Sequence, residues 1–277
     1  MEKQCIDQLV LEYGNRGMHL LRPFLPERGY EKAAEKLEEL ERGNVFIATG
    51  FYVNGNGETD GPLGAWVLAR TLREMGFSPF ILTDRYAFYY FHREIASFGF
   101  QLSYTREEDN ESFLKKYAPV AMISVERCGK NREGIYANMR GVDIGKLTAP
   151  IDELFELGSK MGILTLGIGD GGNEIGMGVL EKEIKEHLSL SPCIVKTDHL
   201  LLASVSNWGA YGLSRMLELI TGESLMPDIK EWKAFFSKIV KHGAVDGVTG
   251  ENGMTVDGFP PGREEEMYQR IMEFKQK

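Results

Sequence analysis

From Asn44 onward, short apolar runs alternate with longer amphipathic stretches. VFIATGF precedes GAWVLARTLREMG, and PFILTD precedes YAFYYFHREIASFG. FQLSYT, PVAMISVE, IDELFELGSKMG, ILTLGIGD, HLLLASVSN and NWGAYGLSRMLELITG continue the alternation. Short continuous apolar runs fit strands buried on both faces, and stretches with helical spacing fit the helices that cover them. The pattern predicts βαβ units and an α/β, Rossmann-like fold, with a mostly parallel sheet and helices on both faces. Residues 1–43 read as an N-terminal helical extension, in which EKAAEKLEELERG is rich in helix formers and closed by Gly43. Residues 44–277 read as a single α/β catalytic domain. Its tail adds helix-like EWKAFFSKIVKHG and REEEMYQRIMEFKQK around a turn-rich segment.

Polar, glycine-bearing segments sit where the strands end, the side on which open parallel sheets bind ligands. The richest is TLGIGDGGNEIGMG, Thr165 to Gly178. It predicts a strand, a bend and a helix start crowded with Asp170, Asn173 and Glu174. Glycines let a backbone approach a ligand, and a helix start offers free N–H groups. Gly167, Gly169 and Gly172 fit G-x-G-x-x-G, but two acids beside them would repel a dinucleotide pyrophosphate. They suit a ligand that also carries an ammonium. After the first strand, NGNGETDG supplies Asn54, Asn56, Glu58, Asp60 and Gly61, with Asp60 also able to cap the helix running through Trp66 to Met75. ERCGKNREGIYANMRGVDI supplies Glu126, Arg127, Asn138 and Arg140. A planar guanidinium there, Arg127 or Arg140, could grip a carboxylate through two parallel bonds. Asn207, in SNWG, reads equally as a cap and as a ligand contact.

The net charge of −9 weighs against nucleic acid or an anionic membrane as partner. Cys5, Cys128 and Cys193 are too scattered for a disulfide framework or zinc cluster, and the histidines have no metal-ligand spacing. No apolar run matches a membrane span, and the N-terminus lacks a targeting pattern. The expectation is a cytoplasmic enzyme acting on a small amino acid. It has neither nucleic acid nor membrane as a partner, and a homo-oligomer remains compatible.

Taken together, GIGDGGNEIGMG, GFYVNGNGETDGPLGA, ERCGKNREGIYANMRGVDI, SNWGAYGL and MTVDG resemble the D-glutamate cyclase family over roughly residues 44–260. The resemblance implies a hydro-lyase that converts D-glutamate to 5-oxo-D-proline with loss of water, and animal members carry an additional N-terminal domain. From chemistry, the expected catalytic pair is Asp170, receiving the ammonium proton, and Glu174, donating to the leaving oxygen, or the reverse. Backbone N–H groups of Gly171 and Gly172 would hold the oxyanion. Asn54, Asn56, Glu58, Asp60, Gly61, Glu126, Arg127, Asn138, Arg140, Asn173 and Asn207 complete the expected pocket. No cofactor is expected. The alternatives are a Mg²⁺-dependent phosphate or nucleotide enzyme, with the acids as metal ligands, and a non-catalytic amino-acid-binding protein.

Overall fold

A computed structural model of the chain describes residues 5–14, 16–101, 107–188 and 190–276. The strands are β1 (Asn44–Thr49), β2 (Tyr52–Val53), β3 (Asn56–Gly57), β4 (Ser78–Asp84), β5 (Ser97–Phe100), β6 (Ala121–Val125), β7 (Leu164–Gly169) and β8 (His199–Leu202). The helices are α1 (Ile6–Leu9), α2 (Met18–Leu21), α3 (Gly29–Glu38), α4 (Pro62–Glu74), α5 (Glu107–Tyr117), α6 (Asp152–Lys160), α7 (Glu181–His187), α8 (Ser206–Thr221), α9 (Ile229–Lys241) and α10 (Arg263–Glu273). Six strands form one sheet in the order β5-β4-β1-β6-β7-β8, every pair parallel. Counted within the sheet this is 3-2-1-4-5-6, the doubly wound Rossmann order.

The continuous apolar runs have the burial expected of two covered faces. Val45 and Ile47 enter a core shared with α1, α3, α4, α8, α9 and α10, while Phe46 and Ala48 enter one shared with α2, α5, α6 and α7. Ile6, Val10, Tyr30 and Leu37 from the N-terminal segment lie in the first of these cores. The segment therefore packs directly on the sheet and on α8.

One local expectation differs and another is untested. The stretch YAFYYFHREIASFG is not one helix: a short 3₁₀ turn spans Phe88–Phe91, and β5 then begins at Ser97. The strand expected in FQLSYT lies largely outside the described residues. No helix among the described residues is long and apolar enough to cross a membrane.

Candidate active site

The strand order reverses between β1 and β6, so the loops leaving these strands part and open a crevice at their carboxyl ends. Glu58 and Asp60 enter it from the loops after β1, Glu126 directly follows β6, and Asp170 directly follows β7. Asn54, Glu126 and Asp257 hold left-handed backbone, with φ of 48°, 49° and 56°. Such conformations cost about 1–3 kcal/mol each in non-glycine residues and cluster at functional sites.

Asp60 and Asn207 join the two helices that flank this crevice. Asp60 Oδ2 accepts from Ser206 N at 3.0 Å and its Oδ1 from Asn207 N at 2.8 Å, capping α8. Asn207 Oδ1 in turn accepts from Gly61 N at 2.9 Å and Gly64 N at 2.7 Å, capping α4. Pro62 opens α4 as expected, and Asp60 Oδ1 also accepts from Gly61 N at 2.9 Å, so Asp60 and Asn207 share the start of α4. Gly61, at φ 88°, lets the chain turn here, where a Cβ would stand 2.7 Å from that of Glu126. Asp60, Gly61 and Asn207 are thus engaged in building the crevice.

The bend after β7 has a different construction from the one expected. No helix starts at Asp170–Glu174; a 3₁₀ turn at Gly178–Leu180 leads into α7. Instead the bend pairs with the loop after β6, Ile175 N donating to Arg127 O at 2.9 Å and Gly129 N to Asn173 O at 3.0 Å. Held this way, the Glu174 carboxylate folds back onto its own loop. It accepts from Gly171 N at 2.6 Å, Gly172 N at 2.7 Å and Asp170 N at 3.3 Å. The N–H groups of Gly171 and Gly172 are therefore occupied by Glu174, which displaces them as an oxyanion cradle.

Arg127 also moves out of its expected place. Its guanidinium donates to Gly50 O at 2.6 Å, Asp84 Oδ2 at 2.8 Å and Ala149 O at 2.8 Å, deep beneath the crevice. It braces the sheet edge instead of meeting a ligand. The cation that reaches the crevice is Arg16, from the segment before α2, whose Nη1 bonds Asp170 Oδ1 and Nη2 bonds Asp257 Oδ1, both at 2.6 Å. Burial opposes its charge, but Asp170, Asp257 and Glu126 outweigh that and hold its proton more firmly than usual. Sequence reasoning missed Arg16, Asp257 and Ser206. Arg16 stood in a segment read as an extension, although its setting between Gly14 and Gly17 was a visible signal.

A cavity of about 190 Å³ opens here. Arg16, Glu58, Glu126, Gly171, Asn173 and Glu174 line it, with Asn54, Asn138, Met139, Arg140 and Gly247–Gly250 among the remaining residues around it. Asn56 and Gly172 lie off its wall, as do Asp60, Arg127, Asp170 and Asn207. Asn138 closes its own loop by accepting from Arg140 N and Val142 N, and Asn173 ties that loop down by donating to Ala137 O at 2.7 Å. Arg140 is exposed. A second cavity, of about 430 Å³, lies across Gly171, Asn173 and the loop 138–140.

Burial, reinforced by Asp257 and Asp60, pushes the Glu58 carboxyl well above the usual carboxylate range. Its Oε1 is buried with no hydrogen-bond partner. Burial and the neighbouring Asp170 and Glu174 raise Glu126 likewise, while Ser206 Oγ donates to its Oε2 at 2.5 Å. Behind Arg16, burial lifts Asp170 to about 7 against the pull of the guanidinium, and lifts Asp257 well above its usual range. The Oδ2 atoms of both carboxyls are buried with no hydrogen-bond partner, and the charge of Asp170 helps to raise Asp257.

The sequence matches the family model for "D-glutamate cyclase-like, C-terminal" over residues 6–272. The chain belongs to this D-glutamate cyclase-like family. It is 30% identical to the mitochondrial D-glutamate cyclase of Homo sapiens, across 93% of this chain and 49% of that protein. The chain thus spans about half the length of that relative. Among solved structures, the UDP-glucose 4-epimerase of Brucella ovis, in complex with NAD, aligns with 45% of this chain and 35% of its own. It does so at 16% identity and a TM-score of 0.27. In this D-glutamate cyclase-like protein, oxygens of Asp60, Glu126 and Asp170 lie within 4.8 Å of one another, a spacing open to a hard cation. Asp60 already accepts from backbone N–H groups and Asp170 from Arg16.

Proposed function

We propose that the protein is a hydro-lyase that closes D-glutamate into 5-oxo-D-proline and releases water. The carrying observation is two buried carboxyls, Glu58 and Glu126, on the wall of one small cavity beside the Arg16 guanidinium. An acid-rich wall favours an ammonium, and the guanidinium favours a carboxylate, so the pocket suits an acidic amino acid. Family membership supports the same reading.

The proton balance explains why carboxyls suffice. Cyclisation forms a C–N bond from the α-nitrogen to the γ-carboxyl carbon and breaks one C–O bond there. The ammonium sheds two protons on becoming an amide N–H, and one γ-carboxylate oxygen gains two on leaving as water. The reaction therefore needs a relay of protons, with no net acid or base. A carboxyl held above its usual range donates at neutral pH, and its conjugate base then accepts. Glu58 and Glu126 perform this relay. Holding the chain folded into a five-atom ring makes the attack intramolecular, worth an effective molarity of about 10⁵ M or more.

Asp170 and Glu174 act one step removed in this scheme. Asp170 clamps Arg16, and Glu174 fixes the bend that walls the cavity. The test is incubation with each glutamate enantiomer and chiral detection of 5-oxoproline. The reading requires turnover of D-glutamate that falls about 100-fold or more in both Glu58→Gln and Glu126→Gln. Stoichiometric binding without 5-oxoproline formation would leave an amino-acid-binding protein instead.

A further inference from the structure

The N-terminal segment enters the site through two close backbone approaches. A Cβ on Gly14 would stand 2.3 Å from Ser204 Oγ, in the β8–α8 turn, and one on Gly17 would stand 2.4 Å from Leu188 Cδ2. Gly17 also takes φ 84°, a left-handed conformation that favours glycine. A side chain at either position would force Ser204 or Leu188 to shift, so the segment lies close against its neighbours here. Between the two glycines, Arg16 reaches the cavity and is fixed by one bond from each terminal nitrogen, to Asp170 and to Asp257.

A guanidinium carries five N–H donors in a rigid plane, and these ion pairs use two. The side chain keeps 19% of its surface open and lines the cavity. Arg127, 1% exposed, has its terminal nitrogens on Gly50, Asp84 and Ala149 and lies off the cavity wall, and Arg140 stands exposed at the loop 138–140. Among the described residues lining the cavity, Arg16 is the cation held in place before a ligand arrives. That removes the ordering cost a free arginine would incur on binding.

We propose that Arg16 is the substrate-anchoring residue, receiving the α-carboxylate of an amino dicarboxylic acid, and that Asp170 and Asp257 are the positioning residues that aim it. The assignment rests on the cyclase reading for the identity of the substrate. It sets the ammonium, attached to the same carbon as the anchored carboxylate, beside Glu58 and Glu126, both of which feel the charge of Arg16. The γ-carboxyl is then the end left free to fold back onto the nitrogen.

The experiment compares wild type with Arg16→Gln and Arg16→Lys, in steady-state turnover of D-glutamate and in calorimetric binding of glutarate, a dicarboxylate with no amine. The anchor predicts that Arg16→Gln raises KM and weakens glutarate about 100-fold, with kcat within a few-fold, and that Arg16→Lys falls between. Wild-type glutarate affinity in a folded Arg16→Gln, or a loss confined to kcat, overturns the proposal. Should Arg16→Gln not fold, Arg16→Lys decides on the same readouts, since an ammonium cannot replace the two-pronged contact. If wild type makes no 5-oxoproline yet binds glutarate through Arg16, the cyclase reading fails and the anchor stands.

Discussion

Asp60 and Asn207 cap each other's helices: the carboxylate of Asp60 receives the first N–H groups of α8, and the amide oxygen of Asn207 receives those of α4. The two helices thereby share one fixed junction at the sheet's reversal point. A ligand contact from Asn207 would make its loss a binding defect. The reciprocal caps make it a stability defect. Asn207→Ala strands the buried Gly64 N–H and leaves Gly61 N–H with Asp60 Oδ1 alone, and we expect a loss of about 2 kcal/mol, read as a melting temperature lower by roughly 5 °C. The KM for D-glutamate in the folded fraction should change less than about threefold. A raised KM at an unchanged melting temperature would return Asn207 to the substrate.

Gly247 controls the position of Glu58. A Cβ on Gly247 would stand 2.1 Å from Glu58 Oε2, so alanine there cannot coexist with the carboxyl in its present place. Oε2 lies at the end of the Glu58 side chain and can swing away, so the fold should tolerate the change. Gly247→Ala should then cut kcat for D-glutamate about tenfold or more, with a melting temperature within a few degrees of wild type. Full activity in that variant would remove Glu58 from the proton relay.

Although β5, SFGF, with its mixed composition, was absorbed into a stretch read as helix, the centre of the sheet was legible because β1, β4, β6, β7 and β8 each carry a short apolar run, so local pattern and burial agree. The loops bearing the site were legible for the same reason, since chain reversals at strand ends carry the glycines. Which side chains turn inward was not. Arg127 reads as a ligand arginine until Asp84 and two carbonyls surround it, and those partners come from distant segments. Glu174 reads as a free acid beside a helix start, yet pairing of the bend with residues 127–129 turns it back on its own loop. For Arg16 the flanking Gly14 and Gly17 were visible, but its partner 154 residues away was not.

Glu264 lies behind the site, buried, accepting from Trp208 Nε1 at 2.5 Å and Tyr211 OH at 2.9 Å. Burial lifts it to about 7, against the pull of these donors. A carboxyl raised on folding binds more protons in the native state, so its stabilising effect is full below its unfolded value of about 4.3 and fades as pH rises through about 7. The contribution is on the order of 3 kcal/mol across that window. Glu264→Gln, which stays neutral, should therefore flatten the fall in denaturant stability between pH 5 and pH 8. An identical pH slope in wild type and variant would show that Glu264 titrates normally in the folded protein.

Asp60, Glu126 and Asp170 pose the question of a metal, because their oxygens converge within 4.8 Å. A divalent cation needs several oxygens free to turn towards it. Asp60 is held at the start of α8, where the helix dipole repels added positive charge, and Asp170 is held by a guanidinium at 2.6 Å. Arg16 therefore already supplies the positive charge that a cation would bring, and binding one would require displacing it. We expect turnover of D-glutamate to survive EDTA with less than about a twofold change, and added Mg²⁺ or Mn²⁺ not to raise it. Activity abolished by EDTA and restored by either ion would make these three carboxylates a metal site. It would also predict that Arg16→Gln tightens metal binding, because the competing cation would be gone.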